Sequence, residues 1–256
     1  MEHSIIVMVL TNIAPDLGRQ ALMLCYDGSE RREASPLFNT ILFDLDGTLV
    51  DTAPDITRAV NAVLAPLDIA PFCSEAVRTL VGQGGRALVE HALEAAGMAP
   101  DEARIDTMVE RLLESYGDNI ATASRPFPAV EATLEDLGRN GSRLGICTNK
   151  PGHLATRLIG ALKLAPHFAA IVGGDEVDRR KPHPGHILEA LRRCGGDTAS
   201  GVMVGDSIHD VSAARAAGIP VIVVSFGYSQ TPAGKLGADR VIDHFAELPA
   251  ALVSLA

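Results

Sequence analysis

Asp44 and Asp46 alternate across a single leucine at the end of the apolar run Ile41-Leu42-Phe43, and Gly47 and Thr48 follow. On a β-strand side chains alternate between faces, so both carboxyl groups would leave the sheet on the same side. Carboxylates converging at the carboxyl end of a buried strand repel each other unless a metal ion or a shared proton compensates. A plainer reading competes with this one. Asp-Gly is a common turn pair and glycine permits a sharp reversal, so the stretch could be a strand running into an acidic turn. The readings differ in what they demand of the rest of the chain, because only the chemical one needs matching charge to arrive from elsewhere.

The elements that would have to position these acids can be read from periodicity. Residues 41–44 read as a strand, a continuous apolar run closed by Asp44, as expected of a central strand covered on both faces. Ile56, Ala59, Val60, Val63, Leu64 and Leu67 then fall at helical spacing. Pro71 breaks that stripe, and Ser74 is placed to cap a short helix carrying Val77, Leu80 and Val81. After the glycine-rich stretch Gly82-Gln83-Gly84-Gly85, a further stripe through Leu88, Val89, Ala92, Leu93 and Ala96 stops at Gly97. Pro100-Asp101-Glu102 opens another helix, through Tyr116. From Pro126-Phe127-Pro128 onward the pattern changes. Strands are expected at 143–148, 169–172, 202–204, 221–224 and 240–242, separated by helices at 130–137, 154–162, 187–193 and 211–217, with a closing helix at 247–255. Such alternation predicts a doubly wound α/β core, a Rossmann-like parallel sheet with helices on both faces. Ligands of these sheets bind beyond the carboxyl ends of the strands. Asp44, Thr148 and Asp206 all fall at such ends.

The expected organisation is therefore a core of residues 40–54 and 124–256, a helical cap at 55–123 inserted after the first strand, and an N-terminal extension at 1–39. In that extension residues 5–10 read as a short strand, 17–25 as a short helix and 27–36 as a polar linker; three readings stand side by side for the whole, a disordered segment, an element packed on the core, or the product of a start codon chosen too early, with Met8 and Met23 as internal candidates. The chain of 256 residues carries a formal net charge of -10, which argues against general nucleic-acid binding. Its apolar content of 47% with 21% charged residues is that of an ordinary water-soluble protein, and no apolar run is long enough to span a bilayer. Cys25, Cys73, Cys147 and Cys194 are far apart in sequence and read as free thiols of a reducing, cytoplasmic compartment.

The stretch from Phe43 to Asp51, Phe-Asp-Leu-Asp-Gly-Thr-Leu-Val-Asp, resembles the first motif of the haloacid dehalogenase-like phosphatases. Thr148-Asn149-Lys150, Lys181-Pro182 and Val204-Gly205-Asp206-Ser207-Ile208-His209-Asp210 resemble the remaining motifs in the same order, so the likeness covers roughly residues 40 to 250. By this resemblance Asp44 is the nucleophile that forms an aspartyl-phosphate, and Asp46 the general acid and base. Thr148 and Asn149 would hold phosphate oxygens together with the amides of the helix they open. Lys181 would bridge nucleophile and phosphate and offset the charge that collects in the transition state. Arg179 and Arg180 read as solvated. Asp206 is the expected Mg²⁺ ligand with the Asp44 carboxylate and the Asp46 carbonyl, and Asp210 orients the site from behind. His183 and His186 have a His-x-x-His spacing, but zinc would need further ligands that the neighbourhood does not offer.

Val50-Asp51-Thr52-Ala53-Pro54-Asp55, Val81-Gly82-Gln83-Gly84, Pro126-Phe127-Pro128, Gly173-Gly174-Asp175 and Lys181-Pro182-His183-Pro184 are similar to the phosphoglycolate phosphatase branch. That likeness implies a Mg²⁺-dependent hydrolysis of a small phosphorylated metabolite, 2-phosphoglycolate, by a monomer or homodimer. The cap would close over the site on hinges at 50–54 and 124–128. A small carboxylated substrate needs a cation opposite the phosphate, for which Arg86 and Lys150 are the candidates. The rivals are a phosphosugar phosphatase or pyrophosphatase on the same core, and a non-catalytic phosphate-binding interaction protein. A phosphonate hydrolase would be expected to need a cap lysine, and residues 55–122 contain none.

Overall fold

Side chains of adjacent strand residues point to opposite faces, and here both faces are apolar. The computed structural model describes residues 38–82, 84–98 and 101–255. The expected strand, helix and linker before residue 38, with Cys25, lie outside the described residues, as do Gln83 and Pro100. In chain order the elements are β1 (Thr40–Phe43), β2 (Val50–Asp51), α1 (Ala53–Leu64), α2 (Ser74–Arg78), α3 (Gly85–Ala95), α4 (Glu102–Asp118), β3 (Arg125–Pro126), α5 (Val130–Arg139), β4 (Arg143–Cys147), α6 (Gly152–Ala161), β5 (Phe168–Val172), α7 (Pro184–Arg193), β6 (Gly201–Gly205), α8 (Ile208–Ala217), β7 (Val221–Val224), β8 (Arg240–Ile242) and α9 (Leu248–Val253).

Six of the strands make one parallel sheet in the order β5-β4-β1-β6-β7-β8, with β1 in its centre. Ile41 and Phe43 of β1 join Val202 and Val204 of β6 and Ile222 and Val224 of β7 in a cluster with α5, α6 and α9. Leu42, Met203, Val221 and Val223 point the other way, into a cluster with α7 and α8. The period of two thus distributes one apolar run between two cores, which is the doubly wound arrangement expected. Among the described residues no helix is long and apolar enough to cross a membrane. Cys73, Cys147 and Cys194 are free thiols.

Between β2 and β3 the chain is helical, and α1, α2, α3 and α4 share their own apolar cluster, joined by Leu154 of α6. Ser74 is the first residue of α2, and Cys73 occupies the capping position without a side-chain hydrogen bond, so the expected serine cap is not made. Asp101 does cap α4, accepting from the Ala103 amide at 3.0 Å. The chain leaves for these helices and returns through neighbouring segments. β2 and β3 pair antiparallel, Val50 with Pro126 and Asp51 with Arg125, so the expected hinges form a two-stranded ribbon.

Asp55, in the first turn of α1, ties the two crossings together. Its carboxylate accepts from the Ala123 amide (2.9 and 3.0 Å), the Ser124 amide (2.8 Å) and the Ser124 hydroxyl (2.7 Å), and pairs with Arg58 at 2.9 Å. Burial pushes this carboxyl up, but the Ser124 and Ala123 donors and the Arg58 guanidinium outweigh it and hold it below the usual carboxylate range. Asp55→Asn removes the charge that these donors face and is expected to lower stability at pH 7 by about 1–3 kcal/mol, several degrees of Tm. Because the folded value is depressed, the contribution is fully present above the unfolded carboxylate pKa of about 3.9 and is lost as the pH falls through the lower folded value. The wild-type advantage should therefore shrink below about pH 4; a melting-temperature difference that stays constant from neutral pH into that range would rule out the clamp.

Candidate active site

Each predicted strand-end residue is the first one past its strand. Asp44 follows β1, Thr148 follows β4 and Asp206 follows β6. The sheet reaches one bond further to orient two of them: the Asp44 amide donates to the Val204 carbonyl at 2.9 Å and the Thr148 amide to that of Val172 at 3.1 Å. After Asp46 the chain reverses at Gly47, whose φ of +83° is left-handed. A Cβ there would stand 2.7 Å from Asp206 Oδ2, so conformation and space both call for glycine. The reversal carries Thr48 inward, where its hydroxyl donates to Asp206 Oδ1 at 3.0 Å.

Lys181 is the charge that the acids required. Its side chain is fully buried, and Nζ donates to Asp210 Oδ1 at 2.6 Å and to the Cys147 carbonyl at 2.6 Å, and pairs with Asp44 Oδ1 at 3.1 Å. Burial works against the ammonium, but Asp210 and Asp44 prevail and raise its pKa, so it stays charged. Asp210 is buried as well, yet Lys181 and the Ser207 amide and hydroxyl (3.0 and 2.6 Å) hold it below the ordinary carboxylate range. The other acids fare differently. Burial pushes Asp44 up to about 6 against the pull of Lys181, and burial with Asp210 and Asp44 pushes Asp206 up to about 8.

Asp46, Thr148, Asn149 and Lys150 line one cavity with Asp44, of about 630 Å³ including its mouth. Lys150 Nζ donates to both Asp46 oxygens, at 2.9 and 3.0 Å, and lies 4.4 Å from the ring centroid of Tyr116. Asn149 Nδ2 donates to the Lys181 carbonyl at 3.0 Å, which ties the loop after β4 to the lysine loop, while its Oδ1 has no partner. Helix α6 does not open at Thr148 as expected. It begins at Gly152, past Pro151; the Gly152 amide is taken by Asp175 Oδ1 (2.7 Å) and the Lys150 amide lies 3.3 Å from the Thr148 hydroxyl, which accepts from it. Those two amides are thus engaged within the protein.

Arg86 is not brought to this site. Its guanidinium lies on the outer surface of α3 and α4, bonded to Glu90 (3.4 Å), Glu102 (3.0 Å) and Asp106. Three carboxylates satisfy it there, and the cavity wall beside it is formed by Gly84, Gly85 and Leu88 instead. Arg179 and Arg180 are exposed, as expected, and Arg180 also lies beside Gly84, whose φ is +98° and where a Cβ would stand 2.9 Å from its Nη1.

Several residues matter here that no motif pointed to. His186 is fully buried; its Nδ1 accepts from the Lys181 amide at 3.3 Å and its Nε2 donates to the Val172 carbonyl at 3.1 Å, which fixes the neutral ring. Burial and Lys181 lower its pKa to about 4. The histidine set aside as a zinc ligand thus props the lysine loop on β5. Tyr228, after β7, accepts from the Thr52 and Ala53 amides (2.7 and 3.0 Å), donates to Asp51 (2.6 Å), and through its own amide holds Asp206 Oδ2 at 2.7 Å. It joins the hinge to the site.

The carboxylates of Asp44, Asp206 and Asp210 lie within 4.8 Å of one another. Burial and the neighbouring carboxylates hold Asp44 and Asp206 above the usual carboxylate range, and all the donors are oxygens. That set fits a hard divalent cation. Lys181→Met would leave Asp210 stranded beside the other acids and is expected to destabilise the chelated protein by about 3–5 kcal/mol at pH 7. The stranded acids would bind protons more tightly folded than unfolded, so the deficit should narrow as the pH falls. Urea denaturation from about pH 8 to 5 measures this, and a deficit that widens toward acid contradicts the charge assignment.

Comparison with known proteins agrees with this geometry. The family model of haloacid dehalogenase-like hydrolases matches residues 41–224. The chain is 44% identical over 216 residues to the phosphoglycolate phosphatase of Caulobacter vibrioides, covering 84% of this chain and 91% of that one. It is 43% identical over 217 residues to that of Agrobacterium fabrum, covering 85% and 93%. A crystal structure from Haemophilus somnus, described as a predicted phosphoglycolate phosphatase, superposes with a TM-score of 0.79 at 30% identity, covering 84% of this chain and 98% of that one. With its parallel sheet, its acids at the strand ends and its relatives spanning most of its length, the chain belongs to the haloacid dehalogenase-like hydrolases and is a phosphoric monoester hydrolase of the phosphoglycolate phosphatase-like group.

Proposed function

We propose that the protein hydrolyses 2-phosphoglycolate to glycolate and phosphate, with Mg²⁺, through an aspartyl-phosphate on Asp44. The observation that carries this reading is the convergence of Asp44, Asp46 and Lys150 on one cavity, with Lys181, Asp206 and Asp210 packed behind Asp44. Asp44 attacks phosphorus as the bond to the ester oxygen breaks, and Asp46 gives that oxygen its proton. Water then attacks the same phosphorus, Asp46 takes the proton, and the bond to Asp44 breaks to release phosphate. Lys181, held by Asp210 and the Cys147 carbonyl, keeps a cation beside Asp44 throughout. Thr148 and Asn149 hold the phosphate oxygens. Asp44, Asp206 and the Asp46 carbonyl would bind Mg²⁺, which when bound neutralises phosphoryl charge, with Asp210 orienting the site from behind.

The substrate assignment is supported by the relatives named phosphoglycolate phosphatase. With Arg86 engaged on the cap surface, Lys150, which lines the cavity and pairs there with Asp46, is the remaining candidate cation for the substrate carboxylate. In this reading residues 55–123 act as the cap and 40–54 with 124–256 as the core, and the enzyme works in the cytoplasm as a monomer or homodimer. Phosphate release from a panel of 2-phosphoglycolate, sugar phosphates, nucleotides and pyrophosphate should show a clear preference for 2-phosphoglycolate that a chelator abolishes; preference for another ester would overturn the substrate while keeping the mechanism. Asp44→Asn should lower kcat by about a thousandfold or more at near-normal stability, and a turnover near the wild-type value would sink the covalent route. Mg²⁺ at about a hundred times its Kd should stabilise the wild type by about 2–3 kcal/mol. Asp206→Asn should lose most of that gain in thermal unfolding.

A further inference from the structure

The cap's contribution to the cavity is apolar almost throughout: Ile56, Val81, Leu88, Leu112 and Leu113. Among the described residues, Tyr116 of α4 supplies the one polar side-chain group of the cap in that lining. It is 4% exposed, and its Oη makes no hydrogen bond of ordinary geometry, the Lys150 ammonium being the polar group beside it. A buried hydroxyl left without a partner is unfavourable, and a ligand group that pairs with it recovers what is lost. The second wall that reaches it belongs to the core, where Lys150 Nζ lies 4.4 Å from the Tyr116 ring centroid and 2.9 Å from Asp46 Oδ1. Burial holds the phenol above its ordinary pKa against the pull of Lys150, so it remains a donor at neutral pH. A phenol on the cap wall and the Lys150 ammonium over its ring, itself bonded to Asp46, line one cavity with Leu88, Leu112 and Leu113; such a pair suits a small anion on the leaving group and rejects a neutral polar one.

We infer that Tyr116, with Lys150, forms the leaving-group subsite, in which the phenol donates to a carboxylate of the substrate and thereby sets specificity from the cap. The inference rests on the reading of the protein as a phosphatase of a small carboxylated ester and adds the residue that recognises the acid. It also accounts for how an otherwise apolar cap could select a charged molecule.

The test uses the full-length protein with Mg²⁺ and compares Tyr116→Phe with the wild type on 2-phosphoglycolate and on ethyl phosphate, an ester of similar size without the carboxylate. The ring and its packing survive the substitution, and a thermal melt checks this. The expected result is a rise in KM for 2-phosphoglycolate of about tenfold or more, and a much smaller change for ethyl phosphate. Equal changes on both esters, or no change on 2-phosphoglycolate, would overturn the subsite while leaving the phosphatase reading in place. A wild type that does not prefer any carboxylated ester, 2-phosphoglycolate or a larger phosphorylated hydroxy acid, over ethyl phosphate would overturn the substrate reading and this inference with it.

Discussion

One buried ammonium makes the arrangement of acids possible. Asp44 and Asp210 are both buried, and Lys181 contacts both, at 3.1 and 2.6 Å. Without it, three carboxylates within 4.8 Å would face each other in a medium of low dielectric, where unpaired charge is most costly. The lysine is itself positioned by neutral groups. The Cys147 carbonyl takes one of its protons, and the loop that carries it is held by His186 against β5 and by Asn149 from the loop after β4. Three strand ends thus act through a single side chain.

The compensation is incomplete, and the remainder is informative. Lys181 holds Asp210 ionised, while Asp206 and Asp44 are pushed toward their protonated forms. Buried pairs contribute little net stability against apolar replacements, so an uncompensated acid in a core is better explained by chemistry than by folding. Here one of the two, Asp44, lines the cavity, and Asp206 lies within 4.8 Å of it.

The two crossings into and out of helices α1 to α4 are held by polar contacts, while the helices themselves also meet the core through Leu154 of α6. Asp55 gathers donors from the returning strand, and Tyr228 gathers the Thr52 and Ala53 amides with Asp51 while its own amide reaches Asp206. Arg78 of α2 adds an ion pair to Asp51 at 2.7 Å and stacks over the Tyr228 ring at 5.4 Å. Hydrogen bonds and half-buried ion pairs can exchange with water at small net cost, and apolar clusters cannot.

Local physics was legible in the chain itself. Continuous apolar runs set the strands and their two-sided burial, helical spacing set α1, α3 and α4, and the order of motifs placed Asp44, Thr148 and Asp206 at the carboxyl ends of β1, β4 and β6. These features depend on sterics and burial within a few residues, which a sequence states directly. What long side chains do was decided by the tertiary structure alone. Arg86 had the right chemistry for a carboxylate, but the helix that carries it turns it toward Glu90, Glu102 and Asp106. Tyr228 bonds to an amide 176 positions away, and Lys150 to a carboxylate 104 positions away. No periodicity encodes such pairs, because charge and hydrogen-bonding needs are satisfied by whatever partner the folded chain brings within reach.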